Sequence, residues 1–440
     1  MRGGSMIYLL LATLSGLLIL SFWINRGDII SPSFVFSASF LFACVWAVAY
    51  AEKWSLDLHK NTYLVITLGV LEFNVVCFLI RCSFNIIKRS KDYWVRTEVK
   101  PITIQKEKHI LYWLFELLTI SLTILFLLRS GGGTSLASAI FSYRFGDSSD
   151  SVAMPSYISA MRTCVNASAY WFSYVFANNF VVNKKIDTYA LAAMLLAVLN
   201  TISVGSRGNI VYVMLATIVI FIIIKNKSAE NSGEKIRIKY VIAVVALLAV
   251  IALSYQSIGN LLGRGSTANV MDYLATYCGA EIKNLDIMLQ EDIFHQSARF
   301  GEQTFINLYK WIGPKFGIKD VEFALTFLSV NGYNLGNVYS IFYPFIYDFG
   351  YPGVAAMVFL MAFICQFLYE KIRRKKNVET VETKTVAYGY IFSAVLFSYF
   401  SNKFYEQIFS AVFLYSLVFW FLFKLFFVQI RFTLEEEDEF

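Results

Sequence analysis

Charge is scarce in this chain. Of its 440 residues only 16 % are Asp, Glu, Lys or Arg, against about a quarter in soluble globular domains, which excludes an ordinary soluble fold. Histidine is scarcer still, at three. No Cys-x-x-Cys pair or Cys/His cluster occurs, so no metal site is expected. No Asp-x-Asp pair occurs either, which argues against a nucleotide-sugar enzyme working through a divalent metal, and no cofactor is expected. No small-residue cleavage site follows the first apolar run, so a cleavable signal peptide is not expected. There is no internal repeat. The six cysteines (Cys44, Cys77, Cys82, Cys164, Cys278 and Cys365) lie mostly inside apolar runs or at their ends, where free cysteine behaves as a small hydrophobe. A Cys164–Cys278 disulfide has no support in the sequence.

What the chain has instead is apolar residues, 57 % of the total, with a mean hydropathy of +0.57. They come in blocks of about 17–25 residues, the length a membrane helix needs. The fold expected is therefore an all-α polytopic membrane protein, one integral membrane domain over 1–440. Eleven spans are read, within a range of ten to twelve, at 6–23, 34–50, 62–80, 109–128, 156–181, 188–204, 209–224, 240–258, 353–369, 386–400 and 408–428. The opening MRGGS precedes a second methionine and reads as an appended tag. The acidic EEEDE near the end reads as solvated chain.

Lysine and arginine set the orientation. Connections 81–108, 182–187, 225–239 and 370–385, with Arg26, Lys424 and Arg431, hold 24 of the 38 basic residues, so this face should be cytoplasmic. The net charge of +7 follows from such loops, and nucleic-acid binding is not expected. Three unusual segments then share the outer face. They are 129–155, the tight turn 205–208, and a large loop over 259–352 expected to pack over the membrane core.

These outer segments hold the residues that could do chemistry. Gly131–Gly133 precede Arg144, either an interfacial arginine meeting lipid phosphate or a guanidinium clamp on a substrate phosphate. Arg162 sits one to two turns inside a span, where a charge normally faces a cavity or a partner. Asn166, Ser168 and Tyr170 make that helix polar enough to line a wet cleft. The turn VGSRGN needs its two glycines but not Arg207, which stands at the N-terminus of the next helix, itself attractive to anions. Arg264 lies between glycines in GNLLGRGSTANV. Further on, His295 and Glu302 are seven apart and would share a helical face, either as a general-base pair or as a solvated helix. Glu281 is another carboxyl in the same loop.

The stretch YNLGNVYSIFYPFIYDFGYPG, 333–353, holds eight aromatics beside Asn334, Asn337 and Asp348. If it is helical, these three share one face, and Pro344 would free the Ser340 carbonyl. Irregular backbone at membrane depth survives only where protein buries it or where it lines a cavity. The segment therefore reads as a re-entrant or interfacial element walling an aqueous cleft. The plainer reading makes Asp348 a helix cap.

With the N-x-x-N-x-Y…Y-D-F-G-x-x-G stretch from Asn334 to Gly353, the G-S-R-G turn and the G-G-G…Y-R loop, the chain resembles the oligosaccharide repeat-unit polymerases, the Wzy-type O-antigen and capsule polymerases. The likeness covers most of the chain in layout and about 50 residues in motif; the N-terminal third matches in hydropathy alone. The resemblance implies a metal-independent, GT-C-like membrane glycosyltransferase acting on undecaprenyl-pyrophosphate-linked oligosaccharide. It would work at the periplasmic face of the bacterial inner membrane, with the lipid bilayer and a chain-length regulator protein as partners. Arg144, Arg162, Arg207 and Arg264 would stabilise the pyrophosphate leaving group, and Asn334 and Asn337 would hold glycan. Asp348, Glu281 or His295 would deprotonate the acceptor hydroxyl. The alternatives are the related O-antigen ligase, which depends on a histidine in the large outer loop, and a flippase for the same lipid-linked sugar.

Overall fold

A computed structural model of the protein describes residues 4–88, 93–130, 135–145, 153–229, 269–291, 297–318, 321–323, 325–376 and 380–430. Long apolar runs become helices because lipid offers a backbone no hydrogen-bond partner outside its own segment. Among the described residues seven helices are long and apolar enough to cross a membrane. They are α1 (Gly4–Ile24), α2 (Pro32–Ala49), α3 (Lys60–Lys88), α4 (Lys106–Ser130), α8 (Gly208–Lys227), α12 (Phe342–Arg373), and α15 (Ala411–Phe423) with the turn that continues it. The expected span at 156–181 is α6 (Ser156–Asn183), a 28-residue helix too polar to belong to that set. The expected 188–204 and 386–400 are the shorter α7 (Thr188–Ile202) and α13 (Thr383–Leu396). The span read at 240–258 lies outside the described residues.

The surface pattern identifies the surrounding medium. On α4, Leu111, Leu114, Leu117, Leu118 and Leu125 are exposed, while His109, Tyr112, Glu116, Thr119 and Thr123 are buried. A helix in water does the opposite. The protein is membrane-embedded.

Local signals fix several boundaries. Pro32 takes the first turn of α2 behind Ser31, where its missing N–H costs nothing. Asp187 caps α7 by accepting from Ala190 N at 3.0 Å. The 205–208 reversal works because Gly205 adopts φ +73°, which side chains disfavour.

By its contacts the chain divides into two compact units, each assembled from three stretches. Unit 1 is Met1–Tyr93, Thr267–Arg374 and Ile391–Phe413; unit 2 is Trp94–Ser266, Lys375–Tyr390 and Leu414–Phe440. In unit 1, α3 runs so close to α12 that a Cβ on Gly69 would meet the Phe342 ring at 2.5 Å.

One end of unit 1 is knitted from distant loops. It includes α9 (Val270–Cys278), α10 (Ala280–Gln290), the short α11 (Ile306–Ile312) and an antiparallel ribbon of β1 (Leu328–Val330) and β2 (Tyr333–Gly336). Lys53 pairs with Asp272 at 2.9 Å. Asp286 accepts from His59 N at 2.9 Å and from Thr62 Oγ1 at 2.5 Å. Asn284 Nδ2 donates to the Leu335 and Val338 carbonyls at 3.0 and 2.9 Å.

The opposite end of unit 1 is held by charge. Glu370 accepts from Arg373 Nη2 at 2.8 and 2.6 Å and from Arg374 Nε at 2.5 Å, all three residues buried. The Arg373 guanidinium lies 4.0 Å over the Tyr93 ring and donates to the Tyr93 carbonyl. Arg374 donates to the Phe84 carbonyl at 3.1 Å and to Asn85 Oδ1. Arg81 covers the same tyrosine at 4.8 Å, and Tyr369 donates its hydroxyl to Asp28.

The 333–353 stretch differs from the sequence expectation. Asn334 lies on β2, Asn337 in the turn after it, and Asp348 in α12, so the three do not share a helical face. Ser340, at φ +68°, turns the chain into the helix. Pro344 falls in the first turn of α12, where helical N–H groups have no partner anyway, so it interrupts nothing. The break comes later, at Gly350 (φ +69°, ψ −165°), a conformation accessible essentially to glycine alone. Two helical pieces, 342–349 and 351–373, therefore meet at a glycine joint.

Candidate functional site

In unit 1 the loop end surrounds a small pocket lined by Gln303, Tyr339, Ser340, Tyr343, Pro344, Ser401, Asn402 and Glu406 among others. Tyr339, Tyr343 and Tyr347 form a ladder along α12's entry, with ring centroids 4.8 and 5.6 Å apart. Asn402, 4 % exposed, donates to the Thr304 carbonyl at 2.8 Å. Its Oδ1, like Ser401 Oγ, is buried with no hydrogen-bond partner among the described residues. A buried acceptor left unsatisfied costs about 1–3 kcal/mol, a cost that one water would remove, and the cavity of about 20 Å³ has room for about one.

Asp348 supports this pocket from behind its lining. It accepts from Ser297 Oγ at 2.5 Å, Gln303 N at 3.2 Å and Thr304 N at 2.6 Å. Both oxygens are thus spent on fixing residues 303 and 304, one lining the pocket and the other holding Asn402. Asp348 positions the site, and its geometry is that of an anchor, not of a base facing a substrate. It does cap backbone, as the plainer reading of the sequence had it, but in a neighbouring turn instead of its own helix.

Glu281 is fully buried on α10, with no hydrogen-bond partner for either oxygen among the described residues. Burial pushes its carboxyl well above the usual range, so the folded protein holds there a proton that the unfolded chain loses near pH 4.3, roughly. The folded-state value is raised, so this contribution to stability is complete below that pH and is lost progressively as pH rises from there through the raised folded value. Glu281→Gln, a permanent mimic of the neutral acid, should therefore flatten the decline. In a melting series from pH 5 to pH 8, the wild type should lose more of its Tm than the variant. Equal slopes would show that Glu281 ionises freely.

The other candidates of unit 1 are turn builders or fall outside the described chain. Asn334 Oδ1 accepts from Gly336 N at 2.8 Å, and its carbonyl accepts from Thr276 Oγ1 at 3.1 Å. Glu302 pairs with Arg299 at 2.8 Å. His295 lies outside the described residues, so its pairing with Glu302 has no structural counterpart here.

In unit 2, Arg162 is 8 % exposed inside α6. Its Nη1 donates to Ser203 Oγ at 3.1 Å and to Thr123 Oγ1 and Asn200 Oδ1 at 3.3 Å. Asn200 Nδ2 is held in turn by Asn166 Oδ1 at 2.8 Å and by the Arg162 carbonyl at 3.3 Å. Among the described residues no carboxylate lies within ion-pair distance of Arg162, so a buried cation is oriented by neutral oxygens alone. Ser203 opens the turn that carries Arg207, itself 3 % exposed at the N-cap of the 20-residue α8. Around the same turn, Val204 packs on Leu127, Ala139 and Ile140, which brings in α5 (Leu136–Phe145) with Arg144 in its last turn. The fold thus gathers Arg162, Arg207 and the helix bearing Arg144 at one end of unit 2. Arg264 lies outside the described residues.

Sequence reasoning missed Asn402, Ser401, Gln303 and Asn200. The signal for the first two was the SNKFYEQ segment, a run of polar residues in the short connection between the last two spans. Asn200 offered none, since one amide in an apolar helix gains meaning only beside Arg162. All six cysteines are free. Comparison of the chain with protein-family models, curated proteins and solved structures finds no match.

Proposed function

We propose that the protein is a GT-C-like membrane glycosyltransferase that polymerises undecaprenyl-pyrophosphate-linked oligosaccharide repeat units into O-antigen or capsular polysaccharide. It acts at the periplasmic face of the bacterial inner membrane, where a chain-length regulator is its expected partner. The observation that carries this reading is Arg162, a guanidinium buried on the 28-residue α6 whose described partners are all neutral. A charge at that depth is costly and calls for an anion. In the transfer, the C–O bond between the growing glycan and its lipid pyrophosphate breaks while an acceptor hydroxyl forms the new glycosidic bond. The negative charge developing on the departing pyrophosphate is what fixed cations lower the barrier by stabilising. Arg162 and Arg207 take that role, with Arg144 and Arg264 as the further cations of the same unit. The proton of the acceptor hydroxyl needs a base, for which His295 remains the candidate once Asp348 is assigned to positioning and Glu281 is buried as a neutral acid.

Surface polysaccharide from a polymerase-deficient strain, resolved on a gel, tests this. The parent protein should restore a ladder of repeat lengths and Arg207→Ala should leave single-unit glycans. If the parent instead restores attachment of polymer to lipid A core, the protein is a ligase. If lipid-linked units accumulate inside the cell, it is a transporter.

A further inference from the structure

The buried face of α4 has a second property that glycan transfer does not use. His109, Tyr112 and Glu116 recur at helical spacing on one face, continued by Thr119 and Thr123, and all five are buried. Thr123 Oγ1 is the oxygen that meets Arg162. From His109 to Thr123 the helix rises about 21 Å, most of a hydrocarbon layer about 30 Å thick. A file of polar side chains thus runs nearly across unit 2 while the leucines of the same helix face outwards.

Packing does not require it. Glu116 Oε1 accepts from Ser168 Oγ at 3.2 Å, and Ser168 is its single hydrogen-bond partner among the described residues. Glu116 Oε2, Tyr112 OH and His109 Nδ1 are buried with no partner of hydrogen-bonding geometry among the described residues. No lysine or arginine pairs with the carboxylate among the described residues. A structural role would be served better by leucine, since an unsatisfied buried polar group is a net cost. The groups facing the file are few. From α6 come Cys164 and Ser168, both close to Tyr112. From α7 comes Tyr189, with its ring 5.2 Å from that of His109, while Asp187 acts on the histidine electrostatically. Phe423 and Phe427 close the remaining side against Tyr112.

We propose that this file is a proton path through unit 2, with Glu116 as its proton-carrying carboxyl. Ionisable groups inside a bilayer typically mark such relays. In each passage Glu116 takes up one proton on one carboxyl oxygen and releases one from the other, returning to the carboxylate. Only O–H and N–H bonds form and break, so no other reactant is needed. His109 and Tyr112 hand protons between Glu116 and the Asp187 end, with bridging waters as links; Thr119 and Thr123 continue the file to the other end.

The test uses the full-length protein in proteoliposomes with a trapped pH-sensitive dye and a potassium gradient, the membrane potential being set by valinomycin. Proton entry should exceed that of protein-free vesicles, and Glu116→Gln should lower the excess at least tenfold. Tyr112→Phe, which keeps the ring and removes the hydroxyl, should also lower it and serves as the second variant if Glu116→Gln fails to fold. Ser173→Ala, buried on α6 outside the file, should leave it unchanged. Wild-type flux no greater than that of empty vesicles would overturn the proposal, as would undiminished flux in a folded Glu116→Gln or Tyr112→Phe protein. The polysaccharide ladder is read separately, so either reading can fail alone.

Discussion

Glu370→Ala should destabilise the protein by about 3–5 kcal/mol, the usual cost of removing one partner of a buried ion pair. Among the described residues, Glu370 is the one carboxylate that Arg373 and Arg374 both contact at 2.8 Å or less, and all three are buried. Its loss leaves two buried guanidiniums held by backbone carbonyls, Asn85 Oδ1 and the Tyr93 ring. Glu370→Gln keeps an acceptor oxygen without the charge and should fall between. The check is the melting temperature of the purified protein in detergent. Adding Arg373→Met to Glu370→Ala should recover part of the loss, because the second change removes a charge that the first left unmatched. A double variant as unstable as the sum of its parts would mean that the two residues do not act as a pair.

Arg162→Ala should separate activity from stability in the opposite sense. If the guanidinium stabilises a departing pyrophosphate, its removal should cost about 10²- to 10³-fold in turnover, the scale seen when one fixed donor to a developing anion is deleted. The melting temperature should not fall, because the side chain bonds only to neutral oxygens and its burial is itself a cost. Arg162→Lys keeps the charge but loses the planar fork and should lie between the two. Turnover is read from the rate at which polymer forms on purified lipid-linked repeat units. A variant that melts far below the wild type would assign Arg162 to the scaffold, and one with full turnover would remove it from the reaction.

The membrane helices were legible because hydropathy alone decides them. The segments read at 6–23, 34–50, 62–80 and 109–128 reappear as α1 to α4, extended by a few residues where polar ends such as Lys60 and Lys106 complete the helices. The stretch at 333–353 was legible as irregular but not in form. Its strand depends on pairing with Leu328–Val330, a tertiary event that no local pattern announces, and its helix break moved from Pro344 to Gly350 because a proline in a first turn is harmless. At the site, Arg162 stood out since charge inside an apolar run is visible in any sequence. Asp348 stood out for the same reason, but its role was hidden: whether a carboxylate is free or spent on Gln303 and Thr304 depends on where a loop 45 residues upstream in the chain comes to rest. The α4 file escaped notice because a glutamate in a leucine-rich helix looks like noise until the burial of its neighbours is known.

The bonds that close the loop end of unit 1 also set an order of assembly. Lys53 meets Asp272 and Thr62 meets Asp286 across 219 and 224 residues of chain, and the unit's last stretch runs to Phe413. At a synthesis rate of about 5–20 residues per second, these partners are made roughly 10–45 s apart. The first three helices thus enter the membrane and wait that long with Lys53, His59 and Thr62 still lacking their acidic partners. A chaperone or a slow stretch of translation acting in that interval would act on the loops that these late contacts close.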